Sequence, residues 1–376
     1  MLPFIFSTCQ IGAETAFKKE IARSFPDMRP AFARPGFVSF KCGGDVPDDR
    51  RCSSLLRSSV FARCAAVSMG KIESADFDRI AAEVWRLTAE NRLFVNRVHV
   101  FCRDPFPPDK RDFEPHIPPE LIDLHRSIIA KCPQKKFLGT GADDLFHPAE
   151  NGETVLDVAV AEPELIFAGY HDVPAGNVSE DCPVHCRYSG GIIPLTLPPD
   201  AVSRAWLKFS EGLRWSGFSV QKGDRVLDIG ASPGGCSQFL LSLGAEVIGI
   251  DPGETAPAVR NQPGFQHIRS KVRGVKHSVF QNVRYMTADM NVAPNYTLDV
   301  LEEIVTKNNG SIRGMLFTLK LIHWELADQL PKMLERIRHW KNGSHSGFAD
   351  VRCRQLVFNR QEVMVAARTA AARDTG

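Results

Sequence analysis

Several features that define other classes of protein are absent from this chain or scarce in it. No apolar run approaches the ~20 residues that a membrane-spanning helix needs, and the apolar opening at residues 1–6 is too short for a signal peptide. These absences predict a cytoplasmic protein without a membrane partner.

A large excess of one charge is also missing. The chain has 46 Lys and Arg against 44 Asp and Glu, a net charge of +2, so any RNA contact must come from local patches. Its ten cysteines lack the spacing of a disulfide framework, which predicts reduced thiols. Cys182, His185 and Cys186 cluster but lack a clear fourth ligand, so we expect ordinary loop residues and no metal.

The length and composition predict more than one domain. A chain of 376 residues with 43% hydrophobic content exceeds a usual single domain and can bury substantial cores. Residues 171–199 are punctuated by glycine and proline without helical or strand periodicity, which predicts a linker. We therefore expect an N-terminal region (1–170), this linker, a C-terminal domain (200–368) and a tail (369–376), with a monomer favoured.

Alternating and helical hydrophobic patterns predict an α+β N-terminal region. Its predicted elements are a strand at 4–6, a helix at 13–25, a strand at 37–40, a helix at 77–87, a strand at 97–101, a helix at 119–130 and a hairpin at 154–168. The pattern allows a division into two small lobes.

The most informative stretch is residues 225–239, a buried-strand pattern that breaks into a glycine-rich turn and then opens a helix. Val226, Leu227 and Ile229 suit a strand of a parallel sheet, and the glycines permit sharp turning and close backbone approach to a ligand. A second buried strand, 246–250, ends at Asp251. This βαβ unit predicts a nucleotide-cofactor site in which Asp251 binds a ribose diol.

The glycine spacing separates two cofactor classes. A dinucleotide site needs Gly-x-Gly-x-x-Gly, which this turn lacks, so a nicotinamide-dependent oxidoreductase is disfavoured. The turn resembles the first motif of S-adenosylmethionine-dependent methyltransferases, although a tight turn of another α/β protein remains an alternative. The resemblance implies cofactor contacts at Asp228, Gly230, Ala231, Ser232, Pro233, Gly234, Gly235, Asp251 and Asp289.

Four polar residues carry a more specific resemblance. Residues 203–211, Ser-Arg-Ala-Trp-Leu-Lys-Phe-Ser-Glu, are similar to a segment of FtsJ-type and RlmM-type ribose 2′-O-methyltransferases, which have a Lys-Asp-Lys-Glu tetrad. The matching positions are Lys208, Asp289, Lys320 and Glu362. The resemblance implies a Rossmann-like domain with a mostly parallel sheet and an antiparallel last strand.

Strand geometry and chemistry support this tetrad independently. Asp289 and Lys320 end predicted parallel strands and Glu362 begins a returning one, so all three reach the ligand-binding edge of the sheet. A ribose hydroxyl must lose its proton as it attacks a methyl group, so a positioned base is needed. Burial and the nearby Lys208 predict a neutral Lys320 that serves as this base, with Asp289 and Glu362 positioning the lysines. An ordinary ion pair is the competing interpretation.

RNA is the substrate class that both halves indicate. The N-terminal pattern resembles a THUMP-type RNA-binding module with a ferredoxin-like companion, and the RlmM-like architecture implies large-subunit ribosomal RNA, with a cytidine target. Candidate RNA contacts are Lys131, Lys135, Lys136, Lys271, Arg273 and Lys276, with solvated loops as the alternative.

Some features depart from the family or leave alternatives. Family members often hold the adenine amine with an acidic residue where this chain has Ser270 and Lys271. A THUMP-bearing base methyltransferase is disfavoured because the chain lacks Asn-Pro-Pro-Tyr and lacks Pro-Cys after a methyltransferase strand. A non-catalytic RNA-binding protein is disfavoured by the intact tetrad.

Overall fold

The computed structural model describes residues 4–43, 48–108, 110, 113–174, 184–342 and 345–369. The chain divides into two compact units, Met1–Pro194 and Leu195–Gly376. Each unit has its own seven-stranded sheet.

The N-terminal unit is built on one seven-stranded sheet. Its elements are β1 (Phe4–Thr8), α1 (Glu14–Ser24), β2 (Met28–Arg34), β3 (Phe37–Cys42), α2 (Asp48–Ser58), β4 (Cys64–Glu73), α3 (Phe77–Glu90), β5 (Arg97–Cys102), α4 (Pro119–Ala130), β6 (Thr154–Glu162) and β7 (Leu165–Asp172). The strand order is β2-β3-β1-β4-β7-β6-β5, and neighbours are antiparallel except β5 and β6. Strand β4, which the sequence patterns did not predict, joins β1 to β7, so the seven strands form one continuous sheet.

Helix α3 illustrates how the sequence builds this unit. Asp76 caps its first turn by accepting hydrogen bonds from the backbone N–H groups of Asp78 and Arg79. Ile80, Val84 and Trp85 form its buried face, and the Trp85 indole N–H donates to the carbonyl of Ile128 on α4, 2.8 Å away. The apolar face and this hydrogen bond fix the helix pair in the core.

The predicted linker is partly a packed segment of the N-terminal unit. His171 lies within β7, and its Nδ1 and Nε2 atoms contact Asp157 Oδ2 at 2.5 Å and the carbonyl of Cys186 at 2.8 Å. Both partners are acceptors, so both ring nitrogens must donate and the ring is an imidazolium. Burial alone would lower the pKa of His171, but Asp157 outweighs it and raises the pKa. Ser189 also donates to the carbonyl of Val100 on β5, so the unit extends to Pro194.

The cysteine prediction is wrong at one position. Cys186 is disulfide-bonded, whereas the structure has free thiols at Cys9, Cys42, Cys52, Cys64, Cys102, Cys132, Cys236 and Cys353. Cys182 lies outside the described residues. Within the described ranges no group of three or more His, Cys, Asp or Glu side chains is arranged to hold a metal ion. None of the helices described here is both long and apolar enough to cross a membrane.

The C-terminal unit contains the predicted mixed α/β sheet. Its elements are α5 (Ala205–Ser216), β8 (Arg225–Ile229), α6 (Gly235–Ser242), β9 (Glu246–Ile250), α7 (Pro257–Arg260), β10 (Phe265–Ile268), β11 (Tyr285–Ala288), α8 (Pro294–Lys307), β12 (Gly314–Lys320), α9 (Leu330–Arg338), β13 (Lys341–Asn342), β14 (His345–Ser346), β15 (Asp350–Arg354) and β16 (Glu362–Arg368). The sheet order is β10-β9-β8-β11-β12-β16-β15. Strands β8 to β12 of this sheet are parallel, and β16 runs antiparallel to β12 and β15, as predicted.

The central strands are buried on both faces. Val226 and Leu227 are adjacent residues of β8, and neither side chain is exposed. Because adjacent strand residues point to opposite faces, both sides of this sheet are covered. The sheet edge at the carboxyl ends of the parallel strands is therefore where polar side chains can gather.

Candidate active site

The predicted tetrad converges at this sheet edge. Asp289 directly follows β11, Lys320 is the last residue of β12, and Glu362 is the first residue of the antiparallel strand β16. The strand register places Lys320 directly opposite Glu362. Lys208 reaches the same point from α5.

The four side chains alternate in charge, and each contacts both groups of opposite charge. Lys208 Nζ donates to Asp289 Oδ2 and, over 3.0 Å, to Glu362 Oε1. Lys320 Nζ donates to Asp289 Oδ1 at 2.7 Å and to Glu362 Oε2. The side chain of Lys320 is 19% exposed and that of Lys208 is 9% exposed. Lys320 is therefore the more exposed of the two ammonium groups.

Other residues hold the two carboxylates in place. Thr318 Oγ1 donates to Asp289 Oδ1 over 2.7 Å, and the Asn359 amide donates to Glu362 Oε1 over 3.4 Å. The fully buried Glu211 accepts the backbone N–H groups of Val357 and Phe358 at 3.0 and 2.9 Å. Glu211 thereby anchors the loop that leads into Glu362.

Sequence reasoning gave no role to Glu211, Thr318 or Arg204. Glu211 lies three residues after Lys208 on α5, so its position on nearly the same helix face was the available signal. Arg204 is half-buried beside the tetrad, and burial together with Arg360 lowers its pKa to about 10.

Electrostatics contradict the predicted neutral Lys320. Burial alone would lower the pKa of Lys320, but Glu362 and Asp289 outweigh it, so the pKa lies above its ordinary value. Burial alone would likewise raise the pKa of both carboxyl groups, yet the lysines hold the pKa of Asp289 and of Glu362 below their ordinary values. The raised pKa keeps Lys320 protonated at rest, and the lowered pKa values keep Asp289 and Glu362 ionised.

A cavity of about 350 Å³ lies beside the tetrad and takes in part of the predicted cofactor site. Among the predicted cofactor residues, its lining includes Gly230, Ser232, Asp251 and Asp289. The Asp251 carboxylate accepts the backbone N–H groups of Ser232 at 3.2 Å and of Gly253 at 2.6 Å, which fixes its orientation at the end of β9. Gly230 has φ of +76°, and a Cβ there would come within 2.9 Å of the carbonyl oxygen of Asp289.

These features suit a nucleoside-bearing cofactor without phosphates. The cavity combines an oriented carboxylate with a close backbone approach, and its other walls include Val272, Met290 and Tyr296. Apolar walls with few placed polar groups are typical of small-molecule sites. The residues therefore fit S-adenosylmethionine.

The other predicted cofactor residues do not line this cavity. They are Asp228, Ala231, Pro233, Gly234 and Gly235. Asp228 is 1% exposed and accepts hydrogen bonds from Ser237 Oγ at 2.6 Å and Thr287 Oγ1 at 2.9 Å, so it ties β8 to α6 and β11. Burial raises the pKa of Asp228 to about 6.

The predicted RNA-contacting residues fall into separate places. In the C-terminal unit, Lys271 lines the cavity, Arg273 lies 3.8 Å from Glu303, and Lys276 is exposed. In the N-terminal unit, Lys131 Nζ is paired with Asp78 Oδ1 at 2.8 Å. Lys135 and Lys136 are exposed in a separate short 3₁₀ helix.

Comparison with known proteins defines the class of the C-terminal unit. A family model described as FtsJ-like methyltransferase matches residues 201–332, which include the cavity, Lys208, Asp289 and Lys320. The unit is thus an FtsJ-like methyltransferase domain, and its cofactor is S-adenosylmethionine.

Curated relatives give the family more closely. The ribosomal RNA large subunit methyltransferase M of Pseudomonas fluorescens (strain Pf0-1) is 30% identical over 266 residues, covering 65% of this chain and 67% of the relative. The protein of the same name from Laribacter hongkongensis (strain HLHK9) is 29% identical over 181 residues, covering 46% and 50%. The chain belongs to the ribosomal RNA large subunit methyltransferase M family. For several of these relatives, the region that matches this chain covers only about half of the relative's own length.

A solved structure, TrmN from Thermus thermophilus, is similar over 97% of this chain and 99% of that one. Its sequence identity is 12% and its TM-score is 0.33.

Proposed function

We propose that this protein transfers a methyl group to a ribose 2′-hydroxyl of large-subunit ribosomal RNA, with a cytidine as the target nucleotide. The observation that carries the proposal is the alternating Lys208, Asp289, Lys320 and Glu362 cluster beside the cofactor cavity. The RNA class follows from the names of the relatives, and the cytidine from the resemblance to their family.

The cluster suits a weakly acidic hydroxyl nucleophile. S-adenosylmethionine supplies an electrophilic methyl group on a sulfonium and leaves as a neutral thioether. Lys320 is half-buried and is the most exposed member of the cluster, so we assign its Nζ the role of contacting the ribose oxygen and taking its proton. Lys208 is the buried member, and it holds Asp289 and Glu362 in the positions that aim Lys320.

The resting charge of Lys320 sets a condition on this mechanism. Lys320 must release its own proton before it can accept one, and its two carboxylate partners oppose that release. We propose that the small neutral fraction of Lys320, which grows as the pH rises, is the form that accepts the ribose proton.

The N-terminal unit is proposed as the RNA-recognition part, of the THUMP type with a ferredoxin-like companion. Its exposed Lys135 and Lys136 support this role, since phosphate contacts supply most of the affinity for RNA that does not depend on base sequence. Lys271, Arg273 and Lys276 are proposed as further backbone contacts from the C-terminal unit.

Alkaline hydrolysis tests the proposed product directly. Purified protein is incubated with methyl-labelled S-adenosylmethionine and large-subunit ribosomal RNA that lacks the modification. A 2′-O-methyl group blocks attack on the adjacent phosphate, so the label should remain in an alkali-resistant dinucleotide whose first nucleoside is cytidine. Lys320→Ala should abolish labelling, whereas Lys332→Ala, at an exposed lysine of α9, should not.

Two other results would reject the proposal. Label in an alkali-labile mononucleotide would identify a base methyltransferase. Cofactor binding without labelling of any RNA would favour a non-catalytic RNA-binding protein.

A further inference from the structure

An aromatic pair of one exposed ring, Phe94, and one half-buried ring, Phe137, lies in the N-terminal unit, outside the residues of the proposed chemistry. Phe94 is 62% exposed, the largest exposed fraction among the large hydrophobic side chains of the described residues. Its ring centroid lies 4.7 Å from that of Phe137, with the ring planes tilted by 57°. A phenylalanine so exposed buries little of its area against its own protein and leaves a ring face for a partner.

Hydrogen bonds hold the two segments that carry these rings together. The Gln134 side chain donates to the carbonyl of Leu93 at 2.9 Å and accepts the Val95 N–H at 3.4 Å. The Asn96 amide donates to the carbonyl of Phe137 at 3.0 Å, and the Gly139 N–H donates to the carbonyl of Asn96 at 2.8 Å. A partner therefore meets rings whose backbone is already fixed, which lowers the entropy cost of binding.

The surroundings of the pair are basic. Lys136 Nζ lies 4.9 Å from the centroid of the Phe137 ring, Lys135 precedes it, and Arg92 lies two residues before Phe94. Among the residues that the structure describes, Arg92, Lys135 and Lys136 form no ion pair with a carboxylate. Lys131 differs because Asp78 neutralises it. The three unpaired cations are thus available to phosphates.

We infer that Phe94, Phe137, Arg92, Lys135 and Lys136 form a stacking patch that binds unpaired RNA, with one base stacked on Phe94. The inference rests on the proposed function, since it takes RNA as the substrate. Single-stranded RNA presents base faces to aromatic rings and phosphates to cations, which matches this combination of groups. A duplex would use only the cations, because its base faces are already stacked.

Fluorescence anisotropy of the full-length protein can separate these modes. The probes are a 12-nucleotide single-stranded RNA of mixed sequence and an RNA hairpin whose stem is fully paired and whose loop is a non-nucleotide linker. Neither probe needs to be methylated. Phe94→Ala should weaken binding to the single strand about fivefold or more and leave hairpin binding unchanged, since a stacked base contributes that much or more. Phe94→Trp should retain the affinity and add a tryptophan emission that the single strand quenches.

The salt dependence of RNA affinity distinguishes the contribution of the lysines from that of the aromatic rings. The double change Lys135→Ala and Lys136→Ala should reduce the slope of log Kd against log salt by roughly 1.4, about 0.7 for each lost phosphate contact. Phe94→Ala should leave that slope unchanged. Phe146→Ala is the matched control, because Phe146 is 40% exposed and lies beside the exposed Asp143 and Asp144.

Several outcomes would overturn the stacking patch. They are wild-type affinity of Phe94→Ala for the single strand, an equal loss in Phe146→Ala, and an equal loss on the hairpin. If the wild-type protein methylates ribosomal RNA while one of these outcomes holds, only the stacking patch is rejected. If the wild-type protein binds neither probe and methylates no RNA, the proposed function is rejected as well.

Discussion

Lys320 has two roles that conflict in the resting protein. Its contacts with Asp289 and Glu362 orient the ammonium but also raise its pKa, whereas a base must be neutral. In the proposed mechanism, Lys320 meets the ribose hydroxyl because it is the more exposed of the two lysines of the tetrad. Experiments that change the protonation state of Lys320 therefore test the proposed mechanism.

Lys320→Arg tests whether charge or proton transfer matters. Guanidinium stays protonated near neutral pH, so this variant should lose methyl transfer by about 100-fold or more in a single-turnover assay, the contribution typical of a general base. Calorimetry should find its affinity for S-adenosylmethionine within a few fold of wild type. Retention of most of the rate would show that Lys320 only steadies the hydroxyl by its positive charge.

The pH profile gives an independent measure of the same proton. Because the pKa of Lys320 lies above its ordinary value, the neutral fraction should rise tenfold for each pH unit between pH 7 and 9. The single-turnover rate of the wild type should rise in parallel. A rate that is flat over this range would contradict the proposal that the neutral amine of Lys320 accepts the ribose proton.

The buried Asp228 predicts that the free energy of unfolding depends on pH. Here burial itself shifts the pKa, whereas at Lys320 the neighbouring carboxylates do. Its pKa is about 6 in the folded protein against 3.8 as the ordinary value, because burial penalises the charge. The folded state therefore holds this proton more tightly, and stability should fall as pH rises from about 4 to about 6. The full effect corresponds to about 3 kcal/mol, at 1.36 kcal/mol for each pKa unit.

Asp228→Asn should remove this pH dependence. The amide can still accept a hydrogen bond from one of Ser237 and Thr287 and donate to the hydroxyl of the other. We expect the variant to be at least as stable as wild type at pH 7 in urea unfolding, monitored by tryptophan fluorescence. A loss of several kcal/mol at pH 7 would show that the charged carboxylate itself stabilises the β8, α6 and β11 junction.

At the scale of elements, the turn between β8 and α6 is where backbone geometry shapes the cofactor cavity. Gly230 lines the cavity. Gly234 does not line it and packs instead against the protein, where an added Cβ would lie 3.0 Å from Val259. Both glycines have positive φ, so the turn depends on residues without a side chain. The sequence predicted the turn, but the structure separates the glycine that faces the ligand from the glycine that packs.

Gly230→Ala is expected to weaken cofactor binding by about tenfold or more. Its Cβ would press against the Asp289 carbonyl and displace the cavity wall, in addition to about 1–2 kcal/mol of left-handed strain. Gly223→Ala is the matched control, with φ of +85° and no atom within 4 Å of the added Cβ. Titration calorimetry with S-adenosylmethionine compares the two. Equal affinities would show that Gly230 is needed for the turn but not for the cavity.

At the scale of the whole molecule, the proposed cofactor site and the proposed stacking patch lie in different units. The cavity and the tetrad lie entirely within Leu195–Gly376, which has its own sheet and core. The stacking patch lies entirely within Met1–Pro194. The two activities should therefore separate when the chain is divided.

A fragment beginning at Leu195 should bind S-adenosylmethionine within a few fold of the full chain. It should methylate ribosomal RNA about 100-fold more slowly at limiting RNA, because the phosphate and stacking contacts of the N-terminal unit are lost. Calorimetry and single-turnover labelling measure the two quantities. A fragment that modifies the same nucleotide at full rate would assign the N-terminal unit a role other than recognition.

Much of the C-terminal unit could be predicted because its signals are local. Val226, Leu227 and Ile229 indicate a buried strand, and the glycines after them indicate a turn. Asp251 marks the end of the next strand with a carboxylate. Parallel strands place their carboxyl ends at one edge, so the meeting of Asp289, Lys320 and Glu362 followed from strand direction.

Tertiary structure decided what depends on neighbours distant in the chain. The charge of Lys320 is set by carboxylates 31 and 42 residues away, and the pairing of Lys131 by Asp78, 53 residues away. The single N-terminal sheet required β4, and residues 184–191 pack through contacts with His171 and Val100. By itself, the sequence determined the strands, the turn and the residue types that gather at the sheet edge. The pKa of each group reflects a balance between burial and nearby opposite charges. That balance depends on distances that exist only in the folded chain.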